Sequence, residues 1–129
     1  GRYGIVSIDR DAPDAGNMAI ELLNKGYLLG ALIDQDTKVA SINLPFFGLE
    51  ARTPSGPAAL ALKAGASVVC GSIARVGNRH EISVSPIEND SDSGIAAQVA
   101  ILTAKANQML EQAIKRNPEQ WVWFHRRWR

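Results

Sequence analysis

The chain has 129 residues, room for one domain rather than two. Hydrophobic residues at 46% and charged residues at 21% are enough to build a core and exclude a disordered composition. A net charge of +1 singles out no charged partner, one cysteine excludes an internal disulfide or multi-cysteine zinc site, and no apolar run reaches the ~18 residues of a membrane span.

The charge is unevenly placed. Residues 115–129 hold five basic side chains (Lys115, Arg116, Arg126, Arg127 and Arg129) against Glu119, which leaves the rest of the chain net acidic. All three tryptophans lie in the same stretch. A single cysteine predicts a reducing compartment. The first residue is Gly1 rather than Met, and Gly4-Ile5-Val6-Ser7-Ile8 reads as a strand almost at once. A chain that begins this way is expected to be a processed or excised piece of something longer.

In chain order, residues 4–8 predict a first strand, followed by the turn-rich Asp9-Arg10-Asp11-Ala12-Pro13. Ala15, Met18, Ala19, Leu22 and Leu23 recur at helical spacing up to Gly26, a C-terminal stop. Residues 27–33 form a continuous apolar run that predicts a buried strand, ended by Asp34-Gln35-Asp36-Thr37. Residues 39–44 predict a short strand, and Pro45-Phe46-Phe47-Gly48 a tight loop. Thr53-Pro54-Ser55-Gly56-Pro57 opens a second helix, with Ser55 placed to cap it and Gly65 to end it. Residues 67–74 are β-branched and predict a strand, which Gly77-Asn78 turns into the alternating stretch 81–85. An acidic loop over 88–94 leads to the longest helical pattern, 95–116, with Val99, Leu102, Ala106, Met109, Leu110 and Ala113 on one face. Asn117-Pro118 stops it. Strands interleaved with helices predict an α/β fold in which helices flank a mixed, mainly parallel sheet.

Several residues are candidates for chemistry. Asp34 and Asp36 end a predicted buried strand, where open α/β sheets place ligands, but Asp also favours plain turns. Arg10 is suited to bidentate phosphate binding, or to a solvated ion pair with Asp9 or Asp11. Phe46 and Phe47 can wall an apolar pocket or simply join the core. The helix opening near Ser55 offers free N–H groups to an anion, without the Lys and Gly spacing of a phosphate loop. Neither His80 nor His125 is followed five positions later by Asp or Glu, and Cys70 reads as a small strand residue rather than a nucleophile. The tail Trp121-Val122-Trp123-Phe124-His125-Arg126-Arg127-Trp128-Arg129 has three readings: a membrane interface, a structural packing element, or a grip on nucleic acid.

Asp34-Gln35-Asp36, Leu44-Pro45-Phe46-Phe47-Gly48, Thr53-Pro54-Ser55-Gly56-Pro57, Asn117-Pro118-Glu119-Gln120-Trp121 and His125-Arg126-Arg127-Trp128 occur in that order. This ordered set resembles the bacterial lipid A biosynthesis (lauroyl/myristoyl) acyltransferases, within the lysophospholipid acyltransferase superfamily. The resemblance implies part of a glycerolipid-acyltransferase-like fold. It also implies transfer of a fatty acyl chain from acyl carrier protein or a coenzyme A thioester to a hydroxyl of a lipid A precursor or related glycolipid. It implies no cofactor, no metal and no nucleic acid partner, and places the parent protein at the cytoplasmic face of the bacterial inner membrane.

By the same resemblance, residues 4–10 correspond to a block whose arginine, Arg10, binds acceptor phosphate. Residues 34–37 with 45–48 correspond to a third block and residues 65–75 to a fourth. The substrate-binding set is then Arg10, Asp34, Asp36, Phe46, Phe47 and Thr53. Trp121, Trp123, Arg126, Arg127 and Trp128 are expected to face membrane or phosphate. The family's catalytic pattern is His, four residues, then Asp or Glu, and it is absent from these 129 residues. The chain is therefore expected to be the C-terminal part of one acyltransferase domain, soluble and without a catalytic residue of its own. The alternative from another class is a non-catalytic module that binds anionic membrane or nucleic acid through the Trp/Arg tail.

Overall fold

The computed structural model of the chain describes residues 4–9, 11–35, 38–89 and 92–128. The elements run α1 (Ala15–Asn24), β1 (Ser41–Phe46), β2 (Leu49–Pro54), α2 (Gly56–Ala64), β3 (Val68–Val76), β4 (Arg79–Ile87) and α3 (Ile95–Arg116), with a closing 3-10 turn at Pro118–Gln120.

Both sheets are antiparallel hairpins, and their turns show why. Phe47 and Gly48 have φ of 52° and 79°. Two consecutive positive φ values make the two-residue turn whose twist matches that of its flanking strands, so β1 pairs directly with β2, from Ser41 opposite Pro54 to Phe46 opposite Leu49. Gly77, with φ 60°, opens the turn Gly77-Asn78 and pairs β3 with β4 over nine residues each. Asn78 follows a glycine at the first central position, the arrangement of the second favoured hairpin turn.

The mainly parallel sheet expected from the element order is not present. Among the described residues the sheets are β1–β2 and β3–β4 alone, both antiparallel. Residues 4–8 and 27–33, the two stretches that would have supplied further strands, adopt no strand. A strand is a ladder between two backbones, and a parallel ladder needs a crossover returning beside an existing strand. Neither stretch makes such a ladder among the described residues. β2 is a strand the sequence reading does not contain: of the expected loop 45–48, Pro45 and Phe46 belong to β1, the turn is only Phe47-Gly48, and Leu49–Pro54 returns along β1.

α3 organises the rest, packing against β1, α2, β3 and β4. At 22 residues it is about 33 Å long. Its N-terminal half inserts Leu102 between Ala58 of α2 and Ile87 of β4, with Val99, Ala106 and Met109 beside it. Its C-terminal half puts Ile114 and Leu110 against Phe46 and Ala51 of the first hairpin. α1 packs on α2. No helix among the described residues is long and apolar enough to cross a membrane.

Gly65 closes α2 in the left-handed region at φ 62°, and Ser55 at its start donates its hydroxyl to Ala40 O at 3.3 Å instead of capping the helix. A β-carbon at Gly65 would meet no atom within 4 Å, so its conformation, not space, selects glycine. Gly65→Ala should cost about 1–2 kcal/mol in urea unfolding. Gly56→Ala, at an open helical position with ordinary φ, should be neutral or stabilise by up to ~1 kcal/mol. Equal effects from the two would contradict this reading of Gly65.

Candidate functional site

The residues between α1 and β1 do not join a sheet, yet they are not idle. Residues 27–34 run as an extended apolar strap beside β3, and the space between them is a groove of about 560 Å³. Leu32 and Ile33 line it from the strap, Val68 and Cys70 from β3, Ala61 from α2 and Ala106 from α3. The alanines keep the helices from filling it. This size and apolar lining match those of a pocket for a small apolar ligand. Asp34 and Thr103 are among its few polar residues.

Asp34 closes the strap. Its Oδ2 accepts a hydrogen bond from Trp121 Nε1 at 3.3 Å, tying residue 34 to the C-terminal tail. Its Oδ1 is buried and accepts no hydrogen bond among the described residues. Buried polar atoms are nearly always paired, so this oxygen calls for a donor beyond those the described residues supply.

The other expected substrate-binding residues divide. Arg10 and Asp36 lie outside the described residues. Phe46 and Thr53 are completely buried, at 0% exposure, and cannot touch a ligand without unfolding their surroundings. Phe47 sits in the hairpin turn, where its N–H donates to Glu111 Oε1 at 2.8 Å and its ring lies 5.5 Å from Lys115 Nζ. Of the described residues of this set, Asp34 alone lines the groove.

Phe46 and Thr53 instead hold the tail. Arg127, expected to face membrane or phosphate, is 1% exposed. Its guanidinium donates to the carbonyl of Arg52 in β2, to Thr53 Oγ1 at 2.9 Å and to Asn107 Oδ1 of α3 at 3.4 Å, and lies 4.7 Å above the Phe46 ring. Asn107 Nδ2 donates to Thr53 Oγ1 at 3.0 Å, and the threonine hydroxyl donates to Ala51 O at 3.3 Å. Trp121 and Trp128 flank Phe46 at 5.9 and 5.8 Å between ring centroids, and Trp128 Nε1 donates to Phe46 O at 3.0 Å. Trp123 and Arg126 remain exposed. Sequence reasoning missed Asn107. Its one signal is an amide one residue past Ala106 on a largely apolar helical face.

The chain's own nucleophiles and bases are poorly placed for reaction. Burial pushes the Cys70 thiol above its ordinary pKa, which lowers its thiolate fraction at neutral pH. His80 on β4 and His125 in the tail do not line the groove. Among the described residues no cluster of three His, Cys, Asp or Glu could hold a metal ion.

Arg127→Ala removes a fork of charge-assisted bonds and leaves Thr53 and Asn107 oriented toward empty space. It should cost about 3 kcal/mol in urea unfolding. Arg127→Lys, a point charge that cannot reproduce the fork, should recover only part of this. Arg126→Ala, one residue away and exposed, should stay within ~0.5 kcal/mol. Similar costs for Arg126 and Arg127 would show that the network does not carry the tail.

Comparison with known proteins bears on what the groove is for. No curated protein matches the chain. A family model described as "Bacterial lipid A biosynthesis acyltransferase" matches residues 10–129, nearly the whole length. The chain therefore belongs to the bacterial lipid A biosynthesis acyltransferase family.

Proposed function

We propose that this chain supplies the acyl-chain site of an acyltransferase. In this reading the enzyme moves a fatty acyl group from an acyl carrier protein or coenzyme A thioester to a hydroxyl of a lipid A precursor or related glycolipid. The observation that carries the reading is an apolar groove of about 560 Å³ in a chain matched to that family over residues 10–129. A fatty acyl tail has no polar atoms to satisfy, so a groove walled by Leu32, Ile33, Val68 and Ala106 suits it. Asp34 Oδ1 serves the polar end as an acceptor for a substrate hydroxyl or amide.

Acyl transfer to a hydroxyl requires a base to take the hydroxyl proton as the oxygen attacks the thioester carbonyl. The carboxylate-paired histidine pattern that performs this in such enzymes does not occur here, and neither histidine present lines the groove. The chain therefore binds and positions, and the proton transfer needs a residue from outside these 129.

Cys70, the sole cysteine, is a built-in reporter of the groove. Its alkylation by iodoacetamide at pH 8 should be slower than that of a free thiol, and should rise only as pH passes through a range above the ordinary thiol pKa. Dodecanoyl-CoA should slow it several-fold further, CoA alone should not, and Ala106→Phe should remove the protection. Alkylation indifferent to the acyl thioester would refute the groove assignment.

A second measurement addresses the missing base. The purified 129-residue chain should transfer no radiolabelled acyl group from acyl carrier protein to a lipid A precursor, even where it binds the thioester. Turnover by the chain alone would require a base that the present reading does not contain.

A further inference from the structure

One end of the molecule gathers exposed aromatic and cationic side chains that neither the groove nor the Arg127 network uses. The 3-10 turn at Pro118–Gln120 is its centre. The Gln120 side chain pairs with the backbone of β3, accepting from Arg75 N at 2.7 Å and donating to Arg75 O at 3.0 Å. This fixes the hairpin end, with Arg75 and Arg79, beside the end of α3, with Lys115 and Arg116. Trp123 Nε1 donates to Pro118 O at 2.6 Å, so the tail turns back onto the same place.

From this turn Val122, Trp123 and Phe124 project at 54%, 50% and 99% exposure. Full exposure of a phenylalanine is costly in water, and here it is not an accident of a loose end. The residues on both sides are fastened, Trp123 to Pro118 and Arg127 within the core. Arg126 is exposed in the same turn, and the four cations already named lie on the hairpin end and the α3 end that the 3-10 turn joins. Of the nearby acids, Glu111 is engaged with Phe47 N and Lys115 and Glu119 with the Gln120 amide, while Glu81, opposite Ala74 on the hairpin, is one further carboxylate against the five cations.

We propose that the 122–126 turn is an interfacial anchor that seats this end of the chain on an anionic phospholipid surface. Phe124, with Val122 and the free edge of Trp123, enters the headgroup–acyl boundary, while Arg126, Arg116, Lys115, Arg75 and Arg79 meet lipid phosphate. Aromatic residues beside Arg and Lys suit the two layers of such an interface, and each cation near the surface adds to the attraction. A base-stacking role fits less well. Trp123 already packs edge-to-face on Trp121 at 4.6 Å and lies 6.3 Å from Phe47, so its ring is not an open platform.

The inference stands on exposure and charge, independently of acyl transfer, and its test separates the two. The full chain is sedimented with vesicles of phosphatidylglycerol and phosphatidylethanolamine, and with phosphatidylcholine vesicles. It should partition preferentially to the anionic ones. Phe124→Ser should weaken that binding about tenfold. Arg116→Gln with Arg126→Gln should remove the preference for anionic lipid. Ile95→Ser, an exposed apolar site at the far end of α3 and outside the groove, should leave binding unchanged. All these positions are exposed, and unfolding curves should confirm unaltered stability. Four results would each overturn the proposal: no sedimentation of the parent chain, binding that survives Phe124→Ser, equal loss in Ile95→Ser, or no preference for anionic lipid. Phe124-dependent retention of a single-stranded oligonucleotide without vesicle binding would overturn it in favour of nucleic acid. Cys70 protection by dodecanoyl-CoA is read in the absence of vesicles, so either reading can fail alone.

Discussion

A guanidinium taken out of water has to find acceptors in fixed directions, and Arg127 finds them on parts of the chain far apart in sequence. Its bonds reach Arg52 O and Thr53 Oγ1 on β2 and Asn107 Oδ1 on α3. The planar fork allows little freedom in how these three oxygens are arranged, so satisfying it locates the first hairpin, the long helix and the tail relative to one another. Thr53 shows how closely the set is matched. Its single hydroxyl accepts from both Arg127 and Asn107 while donating to Ala51 O. The aromatic packing then follows from position: once Arg127 lies over Phe46, Trp128 and Trp121 come to rest on the same ring.

The groove depends on this arrangement at one remove. Its outer wall, residues 27–34, has no sheet partner, and it is held at its ends. Tyr27 N donates to Leu22 O at the close of α1, and Asp34 accepts from Trp121 at the other end. Trp121 is in place because the tail is. A buried network around Phe46 thereby helps hold open a space lined by other residues. The separation is physically sensible, since a groove kept empty for a ligand has few contacts with which to hold itself.

Much of this was legible in the sequence and the exceptions have specific causes. The helix predicted over 95–116 is found with those ends because its apolar spacing is long and its stop, Asn117-Pro118, is strong. Gly77-Asn78 and Gly65 were readable because a positive φ leaves a mark in residue type. β2 was hidden: Leu49-Glu50-Ala51-Arg52 mixes charges into a short strand, and a phenylalanine at φ 52° in the turn before it is not a residue that signals a hairpin. Residues 27–33 have the composition of a buried strand and none of the pairing, because pairing belongs to two segments and composition to one. At the site, Asp34 could be picked out by its place at the end of an apolar run. The family resemblance implies ligand contacts at Phe46 and Thr53, whereas the structure buries both, because a motif of Phe, Pro and Thr looks alike whether it faces a ligand or a buried arginine.

The tail shows why adjacent residues in one motif need not share a role. Composition treats His125-Arg126-Arg127-Trp128 as a basic aromatic patch with one purpose, but the chain turns at Trp123-Phe124 and again where Arg127 N donates to His125 O at 2.8 Å, so neighbouring side chains leave in different directions. Arg127 and Trp128 turn inward, where charge is tolerable because oxygens were already arranged for it. Arg126 and, two residues earlier, Phe124 are left on the outer side. Fastening the inner residues is what makes the outer ones usable. A phenylalanine on a loose terminus would lose conformational entropy on meeting any surface, whereas one between Trp123 and Arg127 has already lost most of it on folding. The buried arginine and the exposed phenylalanine are two sides of one constraint: the first fixes the turn that presents the second.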